Sequence, residues 1–301
     1  RLRLLTKRDA TALVVSIQAL FLGGTRFETE TDNGVFSLMS NLLLKGTTHR
    51  SSDEIFESVE AKGGSISTFS GHQAFGVGLN LLNRDLEYGL ELLADVLLNP
   101  SFDMQELRKL KEEAVVGIQA EEDDWYALGK QQFLETMFQV HPNHLRPCGS
   151  IVSITELSRA DVMDCYHRYC TPNNMVLGVY GDLQLAAVRT LVQHYFENFP
   201  SIDFSFPKVP TEPPLHHIRK VERRKELAQA VIFQGYPCVP LQHSDREIVE
   251  VLSSVLFGVG HPGGRIYKRL RHEELVYYIH GYPDFGLDHG YIAIYASTMP
   301  E

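Results

Sequence analysis

Two histidines four residues apart on a helix, with a glutamate beside them, can hold a metal ion and a base for its bound water on one face. Residues 33–51, NGVFSLMSNLLLKGTTHRS, have the shape for such a display, an amphipathic helix running into a Lys-Gly-Thr turn. The side chains do not suit it. Residues 31–48 contain no histidine or cysteine, and His49 comes only after the turn. Other reactive residues are more scattered. His141 and His144, in HPNH, are separated by a proline and read as surface or structural histidines. Cys165, His167 and Cys170, in CYHRYC, would stand on different faces of a helix and do not converge. His216 and His217 read as solvated, and Glu121-Glu122-Asp123-Asp124 as the exposed end of a helix. The Gly-rich FGVGHPGGR, 257–265, comes after a helix and lacks the lysine and Ser/Thr of a phosphate loop. No Gly-x-Ser-x-Gly turn is present to expose a serine nucleophile.

The elements that must position these residues can be read from periodicity. Residues 12–22, ALVVSIQALFL, alternate as a strand. A helix from about Gly34 to Leu44, capped by Asp32 or Asn33, ends at Lys45-Gly46. SSDEIFESVEAKGG is a second helix with Ser52 as its cap. SISTFSGHQAFGVGLNLL gives two strands, and RDLEYGLELLADVLLNP a helix closed by Asn99-Pro100. One long helix is expected over 103–139, and another over TELSRADVMDCYHRYC with Thr155 or Ser158 as cap. The strand NMVLGVYGD and the helix LQLAAVRTLVQHYFENFP come next.

Ser201–Pro214 is proline-rich and aperiodic, as an interdomain linker should be. The pattern then restarts: a strand over 227–239, the helix SDREIVEVLSSVLFG, the helix RIYKRLRHEEL, and two strands in VYYIHGYPDFGLDHGYIAIYAST. This is a tandem repeat with a period of about 200 residues. The expected division is a first domain at 1–205, a linker at 206–225, and a second domain at 226–301 that stops short of a full copy. Each domain is expected to be α+β, an antiparallel sheet with helices packed on one face.

A chain of 301 residues, 44% hydrophobic and 22% charged, has the composition of a soluble globular protein with material for two cores. A net charge of −10 argues against a general nucleic-acid binder. No run approaches the roughly 18 apolar residues of a membrane span. Cys148, Cys165, Cys170 and Cys238 lack Cys-x-x-Cys spacing and read as buried or free thiols. The compartment stays open among bacterial periplasm, bacterial cytoplasm and mitochondrion.

This layout resembles the insulinase/pitrilysin family of zinc peptidases, in its processing-peptidase-like branch, over nearly the whole chain. FLGGTRFET is similar to the family's approach to its catalytic helix, and LLLKGTTHRS to the end of that helix and the turn beyond it. HPNHLRPCGSIVSITELSRADVMDCYHRYCTPNNMVLGVYGD, 141–182, resembles the family's most specific run, and GGRIYKRLRHEELVY a segment of its second domain. Active relatives bind zinc through His-x-x-Glu-His plus a later glutamate. Anchored on Lys45-Gly46-Thr47, the resemblance puts the first ligand on Ser37, the general base on Ser40, the second ligand on Asn41 and the distant glutamate on Gln119. A helper glutamate has its counterpart in Glu112. Ser, Asn and Gln are poor zinc ligands, and a serine cannot replace a carboxylate as proton acceptor near neutral pH. Because the replacements are polar, the expected site is a hydrated pocket without metal.

The resemblance also assigns Arg271 and Tyr277 to a pair that grips substrate in the second domain, the arginine on carbonyls and the tyrosine on a developing oxyanion. It implies a module with no cofactor of its own that binds peptide and pairs with an active, zinc-bearing half or homologous subunit in proteolysis. The chain alone is then not the enzyme, while its parent protein or complex is a zinc metalloendopeptidase. A different class of reading is a structural assembly subunit like the core proteins of the respiratory bc1 complex. That reading gains if Arg271 and Tyr277 point into packed core. A third is an active hydrolase with atypical ligands, which bound metal would reveal.

Overall fold

The computed structural model describes residues 2–202, 205–225, 229–258 and 263–299. The opening residues of the expected 227–239 strand and the centre of the Gly-rich 257–265 segment lie outside them. Alternation decides the first sheet, because successive side chains of a strand point to opposite faces. Strand β1 is Arg3–Arg8 and β2 is Val14–Leu22, and β2 buries Val15, Ile17, Ala19 and Phe21 on one face. In register with these are Leu81, Leu79, Val77 and Phe75 of β4 (Ala74–Leu82), itself paired with β3 (Ser65–Ser70). On the other side of β2, β5 (Met175–Gly181) sets Val179, Leu177 and Met175 against Ile17, Ala19 and Phe21. The strand order is β1-β5-β2-β4-β3. All pairs are antiparallel except β1 with β5, which is parallel. Parallel neighbours are joined by long crossovers and leave no hairpin signal in the sequence.

Helices cover the buried face: α1 (Val35–Leu42), α2 (Ser52–Glu60), α3 (Leu86–Leu98), α7 (Arg159–Tyr169) and α8 (Leu185–Phe196). Phe36 and Met39 of α1, Leu90 and Leu97 of α3, Val162 of α7 and Val188 of α8 join the strand residues in one core. The expected 103–139 helix is two, α4 (Met104–Glu121) and α5 (Trp125–Met137). The acidic run breaks it, because Asp124 accepts hydrogen bonds from the N–H groups of Tyr126 and Ala127 and so starts a new helix. Similarly, α6 (Ile151–Glu156) and α7 replace one expected helix. The cap of α2 is Ser51, one residue before the expected Ser52, in a capping box with Glu54.

The chain divides into two compact units, Arg1–Ile118 with Leu145–Val209, and Gln119–His144 with Pro210–Glu301. The division differs from the boundaries read in the sequence, since α5 belongs with the second unit. There β6 (Ala230–Cys238), β7 (Tyr278–Phe285) and β8 (Gly290–Thr298) form an antiparallel sheet in the order β6-β8-β7. Phe133 of α5 packs on Phe233 and Tyr291, on one face of this sheet. On the other face Phe257, ending α9 (Arg246–Phe257), lies against Gly281, where a Cβ would come within 2.5 Å of its ring. The remaining helix is α10 (Arg265–His272). Two residues of the expected linker anchor it to this unit. Glu212 accepts from the N–H groups of Gln139, Val140 and His141. Arg219 pairs with Glu212 and donates to the carbonyls of Thr136 and Met137.

Candidate functional site

Helix α1 is fixed at both ends by side chains outside it. Its N-cap is Gly34, with φ of 92°, where a Cβ would come within 2.6 Å of Ile154. Neither Asp32 nor Asn33 supplies the capping acceptor expected of them. The carboxylate of Glu28, 4% exposed, does so instead, accepting from the backbone N–H of Gly34 at 2.9 Å and of Phe36 at 3.1 Å. It also accepts from the Asn33 amide at 2.8 Å. Burial pushes the Glu28 carboxyl up to about 7, despite three N–H donors that favour its ionised form. Past the other end of the helix, the Lys-Gly-Thr turn is tied to α3. Asp95, buried, accepts from Thr47 Oγ1 at 2.9 Å, Arg50 Nη1 at 2.6 Å and Asn99 Nδ2 at 3.0 Å.

The four positions marked for zinc chemistry have separate fates. Ser37 is half-buried on α1. Ser40 is 1% exposed and its hydroxyl has no hydrogen-bond partner. Asn41 is exposed, and its Oδ1 accepts from Thr68 Oγ1 of β3 at 3.0 Å. Gln119 is exposed near the end of α4, where the chain passes to the second unit. The hydrated pocket expected here is therefore corrected at Ser40, which the core has enclosed. The donors do not fit a zinc ion. None is an imidazole, thiolate or carboxylate, the Asn41 oxygen is already engaged, and the base position is shut off from water.

Glu112, the helper counterpart, is exposed and lines an open groove of about 580 Å³ between α4 and residues 155–159, with Leu107, Val115 and Leu157. Among the described residues no group of three or more His, Cys, Asp or Glu side chains converges to hold a metal ion. Cys165 and Cys170 are buried thiols whose pKa values burial raises. His141 is buried, accepts from the N–H of Asn143 and packs its ring on His289. In the second unit, Arg271 lies exposed in the last turn of α10, with Nη1 donating to the Val276 carbonyl at 3.1 Å. Tyr277 is 50% exposed, its backbone N–H held by Ser297 O at 2.8 Å. Neither side chain points into packed core. Glu28 was missed in the sequence because the helix N–H groups it caps are backbone groups, which no residue pattern announces.

Two family descriptions match successive parts of the chain: insulinase (peptidase family M16) over residues 3–146, and the peptidase M16 inactive domain over residues 156–301. The chain belongs to the insulinase family of peptidases. Among its M16 relatives is the uncharacterized zinc protease YmxG of Bacillus subtilis, 25% identical over 98% of this chain and 71% of that protein. Another is cytochrome b-c1 complex subunit 1 of Bos taurus, 27% identical over 64% of this chain and 40% of that one. In fold, the chain is similar to a protease from Helicobacter pylori, with a TM-score of 0.93 at 19% identity, covering 100% of this chain and 73% of that one. The M16 family thus includes zinc proteases and a bc1 subunit among the relatives of this chain. No helix among the described residues is long and apolar enough to cross a membrane.

Proposed function

We propose that this chain is a non-catalytic M16 module that binds peptide and works beside a zinc-bearing half of the same family, on another polypeptide or elsewhere on its own. The observation that carries the reading is Ser40. An M16 catalytic helix needs a solvent-reached carboxylate at this position, and here a small hydroxyl is enclosed in core. Zinc, in this reading, is supplied by the partner. Peptide grip falls to Arg271 and Tyr277, whose exposure leaves them available to a ligand. Taken by itself, β3 of the first unit is a short edge strand without proline or charge, open to main-chain pairing with an extended peptide.

A second reading, a structural assembly subunit, is favoured by the likeness to the bc1 subunit. It gives no role to an exposed arginine and tyrosine. The test is peptide binding by fluorescence anisotropy, followed by cleavage after mixing with a zinc-bearing M16 chain. Binding, and cleavage above that of the partner alone, are expected, and Arg271→Ala should weaken binding about tenfold. No binding and no gain in cleavage would leave the assembly reading standing.

A further inference from the structure

Helix α10 has the sequence RIYKRLRH, five basic residues in eight, in a chain whose net charge is −10. At 3.6 residues per turn, Ile266 and Leu270 share one side. These two are partly buried, while Arg265, Lys268, Arg269, Arg271 and His272 are all exposed. The apolar side is thus partly withdrawn from solvent, and the basic arc faces it. Little neutralises it. Arg269 pairs with Glu273 at 3.3 Å, and Arg271 is turned to a carbonyl. Arg265 and Lys268 make no ion pair among the described residues. The arc runs directly into Arg271 and, past a turn in which Glu274 adopts φ of 56°, into Tyr277. A left-handed residue is a common way for a helix to end, and here the N–H of Leu275 closes the turn on the Leu270 carbonyl at 3.0 Å.

We infer that the basic arc of α10, Arg265, Lys268, Arg269 and His272, selects acidic peptides for the Arg271/Tyr277 grip. The inference rests on the proposed peptide binding and adds a substrate class to it. A bilayer would need a broad apolar face to insert, and on α10 the aliphatic residues are only Ile266 and Leu270, both partly buried. A nucleic acid or an anionic membrane would meet the field of the whole acidic molecule. A short acidic peptide senses mainly charges within a Debye length, about 8 Å at physiological salt.

The experiment uses three labelled peptides of one length and sequence frame, carrying Glu, Gln or Lys at the same positions. Anisotropy is read with the full chain and with Arg265→Glu/Lys268→Glu. Several exposed pairs acting together should make the Glu peptide about tenfold tighter than the Gln peptide at low salt, with the advantage shrinking as salt rises. In the variant the preference should vanish or reverse while the melting temperature stays that of the parent. The milder Arg265→Gln/Lys268→Gln serves if the reversal unfolds the helix. Equal binding of all three peptides, or preference for the Lys peptide, overturns the acidic selection and leaves the peptide-binding reading intact. No binding by any of them overturns both. Binding to phosphatidylserine vesicles in the absence of peptide binding would make the arc a lipid surface, and also overturns the selection.

Discussion

A hydroxyl sealed into a helix–sheet core costs stability unless it finds a partner, and Ser40 finds none. Ser40→Ala removes that burden and adds helix propensity, so it should stabilise the chain by about 1 kcal/mol in urea unfolding. A loss of stability would mean that the hydroxyl is bonded after all. Glu28 makes the opposite kind of statement. Its folded-state pKa of about 7 lies above the ordinary 4.5, so the folded state holds the proton more tightly. Its contribution is therefore fully present below about pH 4.5 and is lost as pH rises to 7, by about 3 kcal/mol. Stability measured against pH, relative to Glu28→Gln, should fall across that window. A flat difference would place the carboxyl in a wetter site. At this scale the sequence showed which residue types were absent from α1, because a missing histidine is visible in the bare order of residues. It could not show that Ser40 is enclosed or that Asn41 is held by Thr68, since both depend on β3 and core packing that are remote in the chain.

Elements were more legible. Every strand from β2 to β8 was anticipated from alternation, and the helices from their apolar period, with boundaries shifted by a few residues. The misreadings occur where a polar residue interrupts a run that would otherwise continue helical. Asp124 divides α4 from α5, and Ser158 divides α6 from α7. Of the two caps left open for α7, the structure selects Ser158, whose hydroxyl accepts from the N–H of Asp161 while the Asp161 carboxylate returns the bond. Ser158→Ala should then destabilise the chain by about 1 kcal/mol. Thr155→Ala should cost less than about 0.5 kcal/mol, because Thr155 only bonds back to the Ile151 carbonyl within its own helix. Equal effects of the two substitutions in thermal unfolding would contradict the capping assignment.

At the scale of the molecule, the repeat was legible because each unit restarts the same strand–helix order. The assignment of Gln119–His144 to the second unit was not, because α5 comes directly after α4 in sequence and only tertiary contacts decide which unit it joins. The anchoring of the expected linker through Glu212 and Arg219 belongs to the same class of tertiary fact. Glu212→Ala would leave three backbone N–H groups without their acceptor, and should destabilise the chain by about 2 kcal/mol in urea unfolding. An unchanged midpoint would mean that this segment is not held there.

On the proposed reading, this M16 chain does no metal chemistry of its own. That reading is tested most directly by elemental analysis after dialysis against zinc, with a peptide-cleavage assay on the same sample. Zinc well below one equivalent per chain and no EDTA-sensitive cleavage are expected. Zinc near one equivalent, with cleavage that EDTA abolishes, would contradict the reading and would place the metal on ligands other than Ser37, Ser40, Asn41 and Gln119.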